Sequence, residues 1–239
     1  MSDALLKKAT TLLANGYVAD AQELLGRLLL SGCAAAHGPL GMIHARDAAL
    51  GDSAAAQLAI ELFERGDAAG DALSTFELSR CHGLGLGCPR DEVRAYQLAR
   101  KAADAGLLRA AAAVARCALN GVGCAVDLEQ ARDYLLRSLP DAVPGLQYSL
   151  GRLMYYGQGG ARDEERAIEL FRAAAEGGSD QACMALAAVA GAKGDKDEAA
   201  RWIGRAGELV PEQEAAVASL DEAVKQYVQH GRSGSQGLH

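Results

Sequence analysis

Apolar residues recur along this chain at spacings of three and four residues. Between residues 167 and 175, the apolar positions are Ala167, Leu170, Phe171, Ala174 and Ala175. This spacing places their side chains on one face of an α-helix, and an apolar face must be buried. A single helix pair cannot bury it. The pattern therefore predicts helix pairs that stack on their neighbours.

The same pattern returns with a period of 36 residues. One apolar column contains Met42, Leu78, Val114, Leu150 and Leu186. Three successive repeats then carry a glycine pair, at Gly85 and Gly87, Gly121 and Gly123, and Gly157 and Gly159. An aspartate follows each pair, with an alanine four residues later, at Asp91 and Ala95, Asp127 and Ala131, and Asp163 and Ala167. Several independent columns with one period identify an internal repeat.

Each repeat is interpreted as helix A, a glycine loop, helix B and a short turn. Glycines after helix A allow positive φ where the chain leaves helical geometry. The aspartates stand where a carboxylate can accept the free backbone N–H groups of helix B, so we interpret them as caps and not as catalytic acids. If the last loop is four residues shorter than the others, Ala199 joins the alanine column, and Trp202 joins the apolar column of Leu62, Leu98, Tyr134 and Leu170.

Stacked helix pairs with a constant rotation curve into a superhelix. The sequence therefore predicts an all-α fold, a right-handed α-solenoid of about six antiparallel helix pairs. We expect divergent helix pairs at residues 1–71 and clear repeats at 72–182. A degenerate repeat with a C-terminal capping helix near 211–230 is expected at 183–230, and a disordered tail at 231–239.

Two stretches, residues 78–110 and 150–182, resemble Sel-one-like repeats (SLR), relatives of the tetratricopeptide repeat. The second stretch matches the family pattern in order at Leu150, Gly151, Gly157, Gly159, Asp163, Ala167, Ala174, Ala175 and Gly178. The first departs from it at Ser79, where a glycine is expected. The repeat between them replaces the Ala-Ala ending with Ser138 and Leu139.

The resemblance implies a role and no reaction. Such proteins are adaptors and scaffolds, and bacterial ones often regulate or neutralise a partner protein, as immunity proteins do. We expect a protein-binding adaptor or regulator, no catalytic residues and no cofactor. The competing hypothesis is an enzyme or small-molecule-binding module with a site in the groove. Repeat folds carry many unrelated partners, so the partner does not follow from the fold.

Composition and charge limit the kinds of partner and the cellular compartment that we expect. The net charge of −7 argues against binding nucleic acid through a general excess of Lys and Arg. The N-terminal stretch has no apolar core with a cleavage site, and no run of eighteen apolar residues occurs. We therefore expect a cytoplasmic protein without membrane contact, either a monomer or a weak homodimer.

One polar column is the candidate binding site. It contains His44, Arg80, Arg116 and Arg152, each two positions after the apolar column. In arrays of this kind the A helices line the concave side. Neighbouring positions within one helical turn are Glu77, Asn120, Tyr148, Ser149, Tyr155 and Tyr156. The hypothesis is a groove for an acidic or carboxylate-bearing segment of a partner protein or peptide. The alternative is that each arginine pairs with a carboxylate of the adjacent repeat or is hydrated.

The cysteines allow two interpretations. Cys81 and Cys117 share one column, and Cys88 and Cys124 share another. They can be small buried apolar residues, or each pair can form a disulfide across its glycine loop. A reducing compartment favours the first. His82 beside Cys81 does not complete a zinc site, since structural zinc needs four closely spaced ligands, so no metal is expected.

Overall fold

The computed structural model describes residues 2–209, and in that range the secondary structure consists of helices and turns without strands. The twelve α-helices of these residues are α1 (Ser2–Ala14), α2 (Val18–Leu30), α3 (His37–Ala49), α4 (Ser53–Ala68), α5 (Ala72–Leu84), α6 (Glu92–Asp104), α7 (Leu108–Asn120), α8 (Leu128–Ser138), α9 (Pro144–Tyr156), α10 (Glu164–Glu176), α11 (Asp180–Ala192) and α12 (Lys196–Leu209). The predicted all-α class is confirmed. The capping helix expected near 211–230 and the tail at 231–239 lie outside the described residues.

The chain forms two compact units, one ending at Val126 and one beginning at Asp127. The first unit contains α1 to α7, and in it α3 packs against both α4 and α5 while α6 packs against α5 and α7. The second unit contains α8 to α12, in which α9 packs against α8 and α10, and α11 packs against α10 and α12. Each helix is thus covered by its neighbours along the chain, as stacking of helix pairs requires.

The predicted apolar face of α10 is buried. Ala167, Phe171, Ala174 and Ala175 have no exposed surface, and Leu170 is 5% exposed. Small residues on this face let α9 approach closely. A Cβ atom at Gly151 of α9 would lie 2.8 Å from the ring of Phe171, so only glycine fits there. The two helices can thus approach closely because Gly151 has no side chain.

The aspartates cap helix B, as predicted. The side chain of Asp163 accepts a hydrogen bond from the backbone N–H of Arg166 at 3.0 Å. Asp91 and Asp127 accept equivalent bonds at 2.9 Å. Asp195 does the same for α12, also at 2.9 Å, which supports the shorter loop proposed for the last pair. These carboxylates satisfy orphan donors and need no chemical role.

The second glycine of a loop packs against the preceding B helix. Gly123 has φ of +69°, and a Cβ atom there would overlap the carbonyl oxygen of Glu92 at the start of α6. Gly159, with φ of +67°, is placed in the same way against the carbonyl of Leu128 in α8. The glycine column therefore marks where one repeat touches the next.

A partly exposed ion pair joins α4 to α6. The Lys101 ammonium lies 2.6 Å from a carboxylate oxygen of Asp67, and the Thr75 hydroxyl donates to the same oxygen at 2.6 Å. Burial alone would raise the pKa of Asp67. The hydrogen bonds from Lys101 and Thr75 and the charges of Lys101 and Arg94 outweigh that effect, so the pKa is lowered. The pair stabilises the contact between neighbouring repeats while Asp67 is ionised.

The 36-residue register is displaced by two residues in α3. Leu78, Val114, Leu150 and Leu186 are buried as predicted, but Met42 is 38% exposed and Leu40 is only 9% exposed. Gly41 faces the ring of Phe63, as Gly151 faces that of Phe171. The sequence separation between glycine and phenylalanine is two residues longer in the first pair than in the second. Leu40 therefore takes the apolar column, and the position two residues later is Met42 and not His44.

Candidate partner-binding surface

The predicted arginines lie on A helices and are exposed. Arg80 is on α5 and Arg116 on α7, both in the first unit, and Arg152 is on α9 in the second. His44 of α3 is half-buried. The position in the arginine column that the 36-residue period predicts for His44 is occupied by Met42. Within the first unit, the polar column therefore holds two arginines in successive A helices and a methionine before them.

Arg80 forms an ion pair within its own helix. Its guanidinium lies 2.7 Å from the carboxylate of Glu77, whose side chain is 5% exposed while that of Arg80 is 55% exposed. Glu77, which the repeat register predicts on the binding surface, therefore presents little of its carboxylate to solvent. A buried carboxylate is costly without a counter-charge, so Arg80 compensates Glu77, and little of its charge remains for a ligand.

Arg116 differs from Arg80. Over residues 2–209, neither Arg116 nor Arg152 makes an ion pair. The Asn120 side-chain amide donates to the backbone carbonyl of Arg116 at 2.8 Å and leaves the guanidinium exposed. The guanidinium of Arg116 is therefore available for a carboxylate from outside the chain.

A cleft of about 410 Å³ lies between α5 and α7, with α6 beside both; we name it the α5–α7 cleft. Phe76, Leu84, Tyr96 and Val122 supply its larger apolar surfaces. Leu84 is 71% exposed and Val122 40% exposed. Apolar side chains this open to water on the wall of a cleft are typical of a surface that another molecule covers.

The charges around this cleft are unequal. Its lining contains Arg80, Arg90, Arg116 and Glu92. Arg90 pairs with Glu92, and Arg80 pairs with the buried Glu77. Among residues 2–209, Arg116 is thus the arginine of this lining without an ion-pair partner, in a chain whose formal net charge is −7.

A second cleft, of about 290 Å³, lies on the other side of α5, between it and α3; we name it the α3–α5 cleft. Met42, Ala45 and Ala49 of α3 line it opposite Glu77 and Cys81 of α5. Arg80 and Leu84 line both clefts. Helix α5 therefore forms a ridge between two mainly apolar clefts within one unit.

The predicted tyrosines lie in the second unit and are partly buried. The rings of Tyr148 and Tyr155 lie 5.8 and 6.3 Å from that of the buried Phe171, between ring centroids. Tyr156 packs edge-on against Tyr155 at 5.3 Å. Burial raises the pKa of Tyr155, with Glu164 adding to the rise and the Arg162 guanidinium opposing it. The rings of Tyr148 and Tyr155 thus pack across the α9–α10 contact, and all three tyrosines are only partly exposed.

Ser149 is engaged locally, because its hydroxyl donates to the carbonyl of Gly145 at 2.7 Å.

The repeat register indicates surface residues that sequence reasoning missed. Leu84 shares a column with Asn120 and Tyr156, and Phe76 shares one with Tyr148. Extending these two columns back to the first clear repeat would have identified Phe76 and Leu84, two of the larger apolar residues of the α5–α7 cleft.

The cysteines near the clefts are free thiols, and burial raises the pKa of three of them. Burial raises the pKa of Cys81 to about 12, with Cys88 and Glu77 adding to the rise and Arg80 opposing it. Burial also raises the pKa of Cys88, whose sulfur lies 3.6 Å from Nδ1 of His82. Cys117 shows the same direction of shift, also through burial. Within residues 2–209, no group of three or more His, Cys, Asp or Glu is placed to hold a metal ion.

The fold defines an all-α protein built from stacked helix pairs. Three stretches match the family model of the Sel1 repeat, at residues 72–107, 108–139 and 145–179. The chain therefore carries Sel1 repeats, which confirms the resemblance inferred from its glycine, aspartate and alanine columns. A search among curated proteins gives no match.

Solved structures of the same fold come from bacteria. A Sel1 repeat protein from Oxalobacter formigenes is 21% identical, with a TM-score of 0.67 and coverage of 84% of each chain. PilF of Pseudomonas aeruginosa is 19% identical, with a TM-score of 0.62 over 89% of this chain and 93% of that one. The protective antigen c5321 of uropathogenic Escherichia coli, which displays an SLR fold, is 21% identical, with a TM-score of 0.61. That match covers 94% of this chain but only 57% of the antigen.

These likenesses establish the fold. Sel1 repeats generally mediate contacts between proteins. Across residues 2–209, no helix has both the length and the apolar character needed to cross a bilayer.

Proposed function

We propose that this protein is an adaptor or regulator that holds a partner protein on the surface formed by α3, α5 and α7. The observation that carries the proposal is the α5–α7 cleft, where the exposed Leu84 and Val122 lie beside the uncompensated Arg116. Exposed apolar area supplies binding free energy, and a guanidinium supplies orientation. We expect this surface to be the concave one.

The composition of the cleft favours binding over catalysis. Its carboxylate, Glu92, is engaged by Arg90, and the pKa of its thiol, Cys117, is raised by burial. The carboxylate is thus held in an ion pair, and a thiol with a raised pKa is a poor nucleophile near neutral pH. An enzyme would need titratable groups converging in a pocket, and the α5–α7 cleft offers arginines and apolar side chains instead.

The bacterial origin of the similar structures supports a bacterial setting. We extend the proposal to a cytoplasmic regulator or immunity-type protein that neutralises one partner. In that role the acidic chain contacts its partner through the positive charge of Arg116. Charge complementarity of this kind contributes mainly to specificity and association rate.

The test is affinity capture from the native cell with the wild-type chain and two charge-reversal variants. Arg116→Glu places a carboxylate in the cleft, and Arg172→Glu makes the same change at an exposed position of α10 outside it. Proteins retained by the wild type and by Arg172→Glu, but lost with Arg116→Glu, are identified by mass spectrometry and purified.

Calorimetric titration of the purified partner then gives the magnitude. Losing a charge-assisted hydrogen bond costs about 1.5–3 kcal/mol, so we expect the dissociation constant to rise about 10- to 100-fold. Circular dichroism confirms that both variants remain folded. Equal binding by Arg116→Glu and Arg172→Glu would overturn the assignment of this surface.

A further inference from the structure

The separation of the two clefts beside α5 indicates the conformation of a segment that occupies both. Arg80 and Leu84 line both clefts, so a bound segment must cross the α5 ridge to occupy the two together. An α-helix with its side chains is about 10 Å across, and the two clefts lie on opposite sides of α5. Side chains that enter both clefts are therefore separated by about that distance along the segment.

An extended segment of polyproline II type meets this requirement. It advances about 3.1 Å per residue and returns to the same face every third residue. Residues i and i+3 thus point the same way and lie about 9 Å apart, whereas in a β-strand they point to opposite faces. The spacing across α5 fits two apolar side chains separated by two residues.

Each cleft suits an apolar side chain of a different kind. The α5–α7 cleft is the larger, with the aromatic rings of Phe76 and Tyr96 in its lining. The α3–α5 cleft is smaller and is lined by Met42 with Ala45 and Ala49. Aromatic walls favour an aromatic or leucine side chain. A methionine adapts to aliphatic groups of varied shape.

The charged side chains that line the clefts indicate where an acidic residue of the bound segment lies. Arg116 lines the α5–α7 cleft and has no ion-pair partner within residues 2–209, whereas Arg46, which lines the α3–α5 cleft, pairs with Asp47 at 3.6 Å. Arg80 on the ridge is already engaged by Glu77. An acidic residue of the segment therefore gains most beside the apolar residue that enters the larger cleft.

We propose that the first unit binds an extended partner segment with apolar residues at positions i and i+3 and a carboxylate next to one of them. The apolar residues fill the two clefts and the carboxylate contacts Arg116. This inference rests on the proposed function and adds the chemistry of the partner. It assigns the selectivity to Arg116 alone, not to a ladder of equivalent arginines.

The experiment presents a library of random dodecapeptides to the immobilised full-length chain. The wild type should enrich peptides with two apolar residues three positions apart and an adjacent Asp or Glu. Arg116→Glu should remove the acidic preference and weaken the best wild-type peptide at least about tenfold, while Arg172→Glu should change neither. Ala49→Trp fills the α3–α5 cleft and should reduce only the selection for the second apolar residue.

The outcomes separate this inference from the proposed function. Enriched peptides without a carboxylate, or with affinity unchanged by Arg116→Glu, overturn the proposed chemistry. If a cellular partner is captured through Arg116 but no peptide is enriched, the occupant is a folded surface and the inference fails alone. Dimerisation in light scattering that Arg116→Glu abolishes would identify a second copy as the occupant, which also overturns it. If neither peptides nor cellular proteins bind, the proposed function itself fails.

Discussion

Replacing Gly123 with alanine should destabilise the first unit far more than replacing another positive-φ glycine. Gly123 has φ of +69°, and an added Cβ would overlap the Glu92 carbonyl oxygen. Gly106, in the turn after α6, has φ of +93° with no atom within 4 Å of the Cβ position. The two substitutions share the conformational penalty, and only the first adds a clash between repeats.

The magnitudes follow from those two contributions. A left-handed conformation costs a residue with a Cβ about 1–2 kcal/mol, which is the whole cost expected for Gly106→Ala. Forcing an extra carbon into a packed contact adds about 1–3 kcal/mol. Gly123→Ala should therefore cost about 2–5 kcal/mol in total.

Urea unfolding followed by circular dichroism at 222 nm measures both variants against the wild type. With a slope of about 2 kcal/mol per molar urea, the midpoint should fall by about 1–2.5 M for Gly123→Ala and by at most about 1 M for Gly106→Ala. Equal shifts would show that the close approach of the loop to α6 contributes nothing, and the account of the glycine column would be refuted.

Three further predictions concern charged and thiol side chains. Arg80→Ala leaves Glu77 buried without its counter-charge and should cost about 1–3 kcal/mol in urea unfolding, most of it recovered when Glu77→Gln is added. Because the pKa of Asp67 is lowered in the folded state, its ion pair with Lys101 stabilises the protein above the ordinary carboxyl pKa of about 4 and is lost as the pH falls through the lowered value. Unfolding followed from pH 6 to pH 2 should thus show a shallower acid-side loss of stability for Asp67→Asn than for the wild type. The Cys81 thiol, whose pKa is about 12, should resist iodoacetamide at pH 8 until urea unfolds the chain, as peptide mass spectrometry can show.

Sequence reasoning located the helices because their packing requires small residues at fixed places. Glycine, aspartate and alanine recur for steric and capping reasons that the structure confirms, as at Asp163 and Gly159. A fixed period cannot reveal a local displacement, however. His44 was therefore assigned to a position that Met42 occupies, because α3 is shifted by two residues.

The candidate site was predictable only in part. Arg116 follows from the repeat register and is exposed, as expected for a binding residue. Burial of Glu77 could not be predicted, since a charged residue on a helix is normally solvated, and here pairing with Arg80 offsets the cost. Tyr148 and Tyr155 lie in the predicted columns, but their packing against Phe171 depends on tertiary contacts that no column encodes.

Hydrogen–deuterium exchange on the complex with a captured partner tests the central claim most directly. Exchange should slow in peptides from α5 and α7, which contain Leu84 and Arg116, while the exchange of α10 and α12 stays unchanged. Protection confined to α10–α12, with α5 and α7 exchanging as in the free protein, would contradict the claim that the partner binds between α5 and α7.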